Sequence, residues 1–423
     1  MDGQSAMASA LNRPDVASIA ENRWVRWSVY GLVAFPLVDY ALRLHGDPLG
    51  AIWDKVVLII LAVVALSRFL AGVRPKQFPW TKFAVVFLLY GLALLFAGLN
   101  QPVIALEGYR MDVYYILFPL LLPFLVAAED VPRLLHVAVI VAILIAFDGV
   151  YQYAVATPIP PTWADVNEHV RSRAFSVFGS PNELGAYMAM MTPFIAGMAW
   201  SERNRWRKIL YSIGVLLCIA TLGFTFTRGA WMALAVAMVV MAVLVDRRLL
   251  FALVVLGVVG FFLPPIHHRI ADLFSPVYIL KASQGGRIIR WAQAFSVMSG
   301  NPLFGTGLGK YGGAVASDYN LSLYSDNYYA KILGEMGIVG LTLFLTMQLA
   351  LVRDLFRSVV RKAPKPYRFA AIGLVTGLVA VLVHNSIENV FEDARMASIY
   401  FVYAMLLLIW SRSFDKGGLT DEV

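Results

Sequence analysis

The chain has 423 residues, of which 59% are hydrophobic and only 15% are charged. Soluble domains average about 45–50% apolar and about 25% charged residues, so this composition excludes an ordinary water-soluble globule. The net charge of +8 does not indicate a nucleic-acid partner, because the basic residues are dispersed among connections between apolar runs. The single cysteine, Cys218, excludes a disulfide framework and is expected to serve only packing.

Apolar runs recur along nearly the whole chain, and most approach the roughly 20 residues that an α-helix needs to cross a bilayer. The sequence therefore predicts an all-α, polytopic membrane protein with about 12 transmembrane helices. The predicted spans are 27–44, 51–71, 82–98, 112–128, 133–156, 181–200, 209–226, 230–246, 249–265, 327–352, 369–387 and 397–411. We expect no cleavable signal peptide, because no small-residue cleavage site follows the first run.

Lys and Arg concentrate in alternate connections, most clearly in Arg203–Lys208 and Arg361–Lys365. The positive-inside rule then places both termini in the cytoplasm. The predicted organisation is a cytoplasmic N-terminal segment, spans 1–9, a large extracytoplasmic loop, spans 10–12 and a cytoplasmic tail. These parts cover residues 1–26, 27–265, 266–326, 327–411 and 412–423. Within the large loop, the pattern predicts a helix around Gly286–Met298.

Several cations fall on the predicted outer side, where Lys and Arg are normally scarce. Arg228 is the most informative of them, because it lies in a turn of only a few residues between two spans. Since a cation at a membrane boundary must be solvated or paired, these residues predict an anionic ligand, and diphosphate suits guanidinium groups well. Alternatively, the arginines could reach lipid headgroups or pair with nearby acids such as Glu388, Glu392 and Asp393. The outer cations are Arg110, Arg171, Arg173, Arg228, Arg269, Lys281, Arg287, Arg290, Lys310 and Arg395.

An ordered set of short motifs occupies residues 178–341. The motifs are Phe178-Gly-Ser-Pro-Asn182, Thr227-Arg228-Gly-Ala-Trp231, Gly286-Arg287-Ile-Ile-Arg-Trp291, Asn301-Pro-Leu-Phe-Gly-Thr-Gly-Leu-Gly309 and Ser325-Asp326-Asn327, the last running on to Gly340-Leu341. The set resembles the O-antigen ligase family, which includes polysaccharide ligases and Wzy-type polymerases. The earlier spans resemble the family only in hydropathy.

The resemblance implies a membrane-embedded glycosyltransferase of the GT-C type in the bacterial cytoplasmic membrane, with its active site facing outward. Such an enzyme moves a glycan from undecaprenyl diphosphate to a hydroxyl of a glycan or lipid-glycan acceptor, without a metal or other cofactor. A single displacement would invert the anomeric carbon. The expected partners are these two substrates and the membrane lipids. Ligase and polymerase both remain open.

The resemblance also implies the site residues. Two family arginines correspond to Arg228 and Arg287, and the family's histidine corresponds to Asp326, which departs from the pattern. A carboxylate can serve as general base if it lies within hydrogen-bond reach of the acceptor hydroxyl. His384, in His384-Asn385, is the alternative source of a base and a candidate substrate-binding residue. The remaining candidates for substrate binding are Arg290, which lies one turn after Arg287, and Arg173, Arg110 and Lys310.

A lipid-linked-oligosaccharide flippase or another secondary transporter is the main alternative. Such a protein would need polar groups through the membrane midplane, where the candidates are few, chiefly Asp39, Lys55 and Asp148. Gly334, Gly337 and Gly340 indicate close helix packing, and Glu335 is expected to pair with Lys331 at spacing i, i+4.

Overall fold

The computed structural model describes residues 16–160, 163, 172–245, 247–262 and 286–414, and these residues form helices but no strand. The predicted all-α class is therefore confirmed for this part of the chain. In chain order the α-helices are α1 (Arg23–Val33), α2 (Phe35–Leu44), α3 (Asp47–Leu70), α4 (Pro79–Ala97), α5 (Pro102–Asp112), α6 (Leu117–Leu125), α7 (Val131–Ala154), α8 (Pro181–Ser201), α9 (Arg205–Phe224), α10 (Arg228–Leu244), α11 (Arg248–Phe261), α12 (Arg287–Ser299), α13 (Ala314–Asp318), α14 (Tyr328–Leu355), α15 (Arg368–His384) and α16 (Ala394–Phe414).

Helices lie at all the predicted spans, although the first span is divided into α1 and α2 at Ala34. Among the described residues, six helical segments are long and apolar enough to cross a membrane. They are Pro48–Leu70, Pro79–Ala97, Ala128–Ala154, Arg205–Phe224, Tyr328–Val360 and Ala394–Phe414. Tyr114–Leu125, α10 and α15 are apolar but shorter. The chain is a membrane protein, while the count of about 12 spans and the orientation remain predictions.

The predicted helix in the large loop is confirmed as α12. The loop's earlier part, 266–285, lies outside the described residues. Two contacts fix the orientation of α12 on the rest of the loop. Trp291 Nε1 donates to the carbonyl of Ser325 at 3.0 Å, and the Tyr311 hydroxyl donates to the carbonyl of Arg290 at 2.6 Å. The start of α12 is thereby held beside residues 324–326.

Helices α8 and α15 run antiparallel and touch at the level of their backbones. A Cβ added at Gly377 would lie only 2.0 Å from the carbonyl oxygen of Met190, so any larger residue there would separate the helices. Small residues permit such close approach in membrane proteins. The first residues of α8 and the last residues of α15 consequently lie at the same end of the bundle, where the candidate site is found.

Helix α14 is broken at Gly337, which has φ of 67°. Such a break leaves backbone groups without helical partners, and the glycine-rich loop supplies them. The amides of Thr306 and Gly307 donate to the carbonyls of Gly334 and Glu335, both at 2.9 Å. The amide of Ile338 donates in turn to the carbonyl of Pro302 at 2.9 Å.

This pairing explains the glycines of the Gly305–Gly309 string. The glycines let the loop backbone lie directly against the broken helix: a Cβ at Gly305 would meet the backbone carbon of Glu335 at 2.5 Å. The C-terminal half of the large loop is thus fixed to the interior of the helix bundle.

Two helices that carry site residues begin at side-chain caps. The Ser180 hydroxyl accepts from the amide of Asn182 at 3.2 Å, and the Asn327 side chain accepts from the amide of Ala330 at 3.1 Å. These caps satisfy amide donors that the first helical turn leaves open. They start α8 and α14 at defined residues beside the site.

Candidate active site

Both arginines at the start of α12 reach one carboxylate. Arg290 Nη1 lies 2.9 Å from Asp326 Oδ2, and Arg287 Nε lies 3.4 Å from the same oxygen. The two arginines are three residues apart, which places them on one face of the helix, as predicted. The structure therefore brings Arg287, Arg290 and Asp326 together.

Asp326 has a backbone conformation that is uncommon for a residue with a side chain. Its φ is 49°, in the left-handed region, directly before the Asn327 cap of α14. Aspartate tolerates this region better than most residues, and such outliers concentrate at functional sites. This conformation belongs to the turn that brings the Asp326 carboxylate to Arg287 and Arg290.

A second carboxylate, Glu388, lies on the other side of Arg287. Its Oε2 is 3.8 Å from Arg287 Nη2 and accepts a hydrogen bond from Asn182 Nδ2 at 2.5 Å. Burial raises the pKa of Glu388 to about 7; the nearby charge of Asp326 adds to the rise, and Arg287 opposes it. From the sequence, Glu388 is expected only as a possible partner for an arginine.

Arg228 and His384 lie beside this group, because the backbone of Gly229 packs closely against the side chains of His384 and Ile387. Arg228 opens α10, and a Cβ on the next residue, Gly229, would lie 2.9 Å from both His384 Nε2 and Ile387 Cδ1. Glu388 directly follows Ile387 in the chain. The predicted residues Arg228 and His384 therefore adjoin the turn that carries Glu388. Among the described residues, Nδ1 of buried His384 has no hydrogen-bond partner.

Arg173 lies next to this group and supports the short turn before α10. Its Nε donates to the carbonyl of Thr225 at 2.8 Å, and its Nη2 donates to the Thr227 hydroxyl at 3.2 Å and to Asn182 Oδ1 at 3.5 Å. Arg173 thus connects the start of α10, which carries Arg228, with the start of α8.

Two predicted binding residues lie apart from this group. Arg110 is on α5, and among the described residues its buried Nε has no hydrogen-bond partner. Lys310 follows the glycine string that packs on α14. In the part of the chain that the structure describes, neither side chain forms an ion pair with Asp326 or Glu388.

A buried charge network lies behind the site. Lys331 Nζ is 2.6 Å from Asp112 Oδ2, 3.1 Å from Glu335 Oε2 and 3.6 Å from Glu392 Oε1. The predicted Lys331–Glu335 pair is confirmed, but the sequence did not indicate the two other carboxylates. The network ties α5, α14 and the turn before α16 together.

Asn389 connects this network to the site. Its Oδ1 accepts from the Ser325 hydroxyl at 3.1 Å and from the amide of Asn327 at 3.0 Å, while its Nδ2 donates to Glu392 Oε2 at 3.0 Å. Asn389 and Glu392 belong to the turn that carries Glu388, and Ser325 and Asn327 flank Asp326. The relative position of the two site carboxylates is therefore fixed by buried hydrogen bonds.

Comparison with known proteins gives one family match. Residues 213–345 match the model of a family described as O-antigen ligase, named Wzy_C. The matched range includes α12, Asp326 and the start of α14, and it ends before Glu388. No curated protein matches the chain. The family match confirms the resemblance that the sequence motifs indicated.

Proposed function

From the O-antigen ligase domain that residues 213–345 carry, we propose that this chain is a metal-independent, inverting glycosyltransferase. It moves a glycan from undecaprenyl diphosphate to an acceptor hydroxyl at the outer face of the bacterial cytoplasmic membrane. The observation that carries the proposal is the position of Arg287. Its guanidinium lies between two carboxylates, at a point where the start of α8, the start of α10 and the end of α15 meet.

The arginines provide the charge that the departing diphosphate requires. As the bond between the anomeric carbon and the diphosphate oxygen breaks, negative charge develops on that oxygen. In this proposal Arg287, Arg290 and Arg228 bind the diphosphate and stabilise the charge. Fixed guanidinium groups supply such stabilisation without a metal ion, and their planar forks match phosphate oxygens.

The carboxylates provide the proton acceptor. The acceptor hydroxyl oxygen forms the new bond to the anomeric carbon from the face opposite the diphosphate, and its proton passes to a base. We assign this role to Asp326. In the structure Oδ2 of Asp326 contacts both Arg287 and Arg290, so a bound diphosphate would compete for the same guanidinium groups. Glu388 and His384 are the neighbouring alternatives.

The buried Lys331 network is the feature that a transporter would also need. Charged residues inside a membrane helix often mark an ion pathway. Here, however, the three carboxylates all contact the single Lys331 ammonium group close to the start of α14, directly behind Asp326. This arrangement favours a structural role in supporting the site.

The test is reconstitution of the full chain into vesicles with undecaprenyl-diphosphate glycan, a polysaccharide acceptor and EDTA. We expect glycan transfer with inverted anomeric configuration, which NMR of the product reports. Asp326→Asn should abolish transfer, and Asp318→Asn serves as the matched control on an exposed residue of the same loop. Movement of the donor between leaflets without transfer would support the flippase, and loss of transfer in EDTA would contradict metal independence.

A further inference from the structure

A cavity of about 330 Å³ lies at the end of α8 opposite to the candidate site. Since α8 runs from Pro181 to Ser201 and rises about 1.5 Å per residue, the cavity lies about 30 Å from Asn182. Its floor is apolar, with Leu135, Met198 and Trp410 among the lining residues. It is therefore separate from the group around Arg287.

The polar part of the lining has a positive balance. Glu202 is paired in place, because Arg207 Nη1 lies 3.6 Å from its Oε2. Arg203 also lines the cavity, and within the described residues it forms no ion pair. Arg203 and Arg207 together exceed Glu202 by one positive charge, which attracts an anion to the two guanidinium groups.

Ser201 adds a hydrogen-bond donor. It lines the cavity, and its hydroxyl is buried without a hydrogen-bond partner among the described residues. A buried hydroxyl of this kind is normally satisfied. Together with Arg203 and Arg207, it forms a polar wall that suits phosphate oxygens.

The tryptophans next to the cavity are typical of a membrane interface. Trp200 and Trp206, which flank the connection between α8 and α9, are 72% and 77% exposed. Tryptophan concentrates at the level of lipid headgroups, where its ring is apolar and its N–H is polar. The same connection carries Arg203–Lys208, one of the predicted cytoplasmic clusters. An anion that reaches this cavity would therefore come from the membrane itself.

We propose that this cavity binds an anionic membrane phospholipid, with its phosphodiester held by Arg203, Arg207 and Ser201. The first carbons of the lipid lie over Leu135 and Met198. Basic pockets between helices on the cytoplasmic side bind acidic headgroups by the same combination of charge and apolar contact. The site is independent of glycan transfer.

The test is native mass spectrometry of the purified full chain in detergent with equimolar phosphatidylglycerol and phosphatidylethanolamine. The wild-type chain should retain phosphatidylglycerol preferentially. The double variant Arg203→Ala/Arg207→Ala should lower its retention by about tenfold or more. Arg205→Ala is the matched control, because Arg205 is exposed at the start of α9 but does not line the cavity.

A second variant separates shape from charge. Pro366→Trp, at an exposed residue of the lining, fills part of the cavity while leaving every charge in place, so it should also release the lipid. Equal retention by the double variant and by Arg205→Ala would overturn the proposal, as would equal binding of the two lipids. Displacement of the lipid by inorganic phosphate alone would show a site for the free ion and would likewise overturn it.

Discussion

Arg287 Nη2 lies 3.8 Å from Glu388 Oε2, although 101 residues separate them in the chain. The contact joins the start of α12 to the turn after α15. A diphosphate bound to Arg287 would therefore sit next to Glu388, so the ionisation of Glu388 should affect donor binding.

The first prediction concerns this pH dependence. The pKa of Glu388 is raised to about 7, so the group is neutral below that pH and negative above it. A negative Glu388 repels the donor's diphosphate and competes for Arg287. Donor affinity measured by isothermal titration should therefore weaken as pH rises from 6 to 8, by about tenfold.

Glu388→Gln should remove this dependence, because glutamine stays neutral, and should leave tight binding at pH 8. If Glu388 is instead the base, the rate of glycan transfer should rise as the pH passes 7, and Glu388→Gln should abolish transfer.

The second prediction concerns the planar fork of Arg287. Arg287→Lys keeps the charge but loses the paired donors that match phosphate oxygens. Removing one stabilising donor from an oxyanion site costs about 10²–10³ in kcat, so we expect a loss within that range in steady-state transfer assays. The Arg205→Lys variant, changed at the exposed start of α9 and distant from the site, should transfer at the wild-type rate. A fully active Arg287→Lys enzyme would show that only charge matters there.

The third prediction concerns the break in α14. Alanine at Gly337 would have to adopt φ of 67°, and its Cβ would lie 2.4 Å from the carbonyl oxygen of Leu303. The docking of the glycine loop should then fail, at a cost of about 3 kcal/mol or more. Thermal denaturation in detergent should show a lowered Tm. Gly257→Ala is the control, since nothing lies within 4 Å of a Cβ there, and its Tm should not fall.

The fourth prediction concerns the buried cation. Lys331→Met leaves three buried carboxylates without their shared partner, and breaking a buried pair in this way costs about 3–5 kcal/mol. We expect a large drop in Tm. Adding Glu335→Gln should recover part of it by removing one of the uncompensated charges. Lys310→Met, on a partly exposed lysine, should have little effect, and an equal drop in both single variants would contradict the role of the network.

The sequence predicts the elements of this protein well, because apolar run length and charge position are local properties. The helix around Gly286–Met298 and the short turn at Arg228 both follow from local pattern. The division of the first span at Ala34 was not predicted, although Pro36, in the first turn of α2, is a local signal for it.

The site is predicted in part. Arg287, Arg290 and Asp326 are found from motifs within 40 residues of one another, and the structure joins them. Glu388 was missed because its role depends on contacts with Arg287 and Asn182, which are remote in sequence. The role of the glycine string likewise follows only from the break in α14 at Gly337, and no local sequence pattern reveals that break.

The most direct test of the central claim is equilibrium binding of undecaprenyl-diphosphate glycan to the reconstituted chain in EDTA. If Arg287 binds the diphosphate, Arg287→Ala should weaken the affinity at least about tenfold, while Arg205→Ala should not change it. Arg287→Ala should weaken the affinity for an undecaprenyl-monophosphate glycan by a smaller factor than the affinity for the diphosphate donor. Equal affinity of wild-type and Arg287→Ala protein for the diphosphate donor would contradict the account.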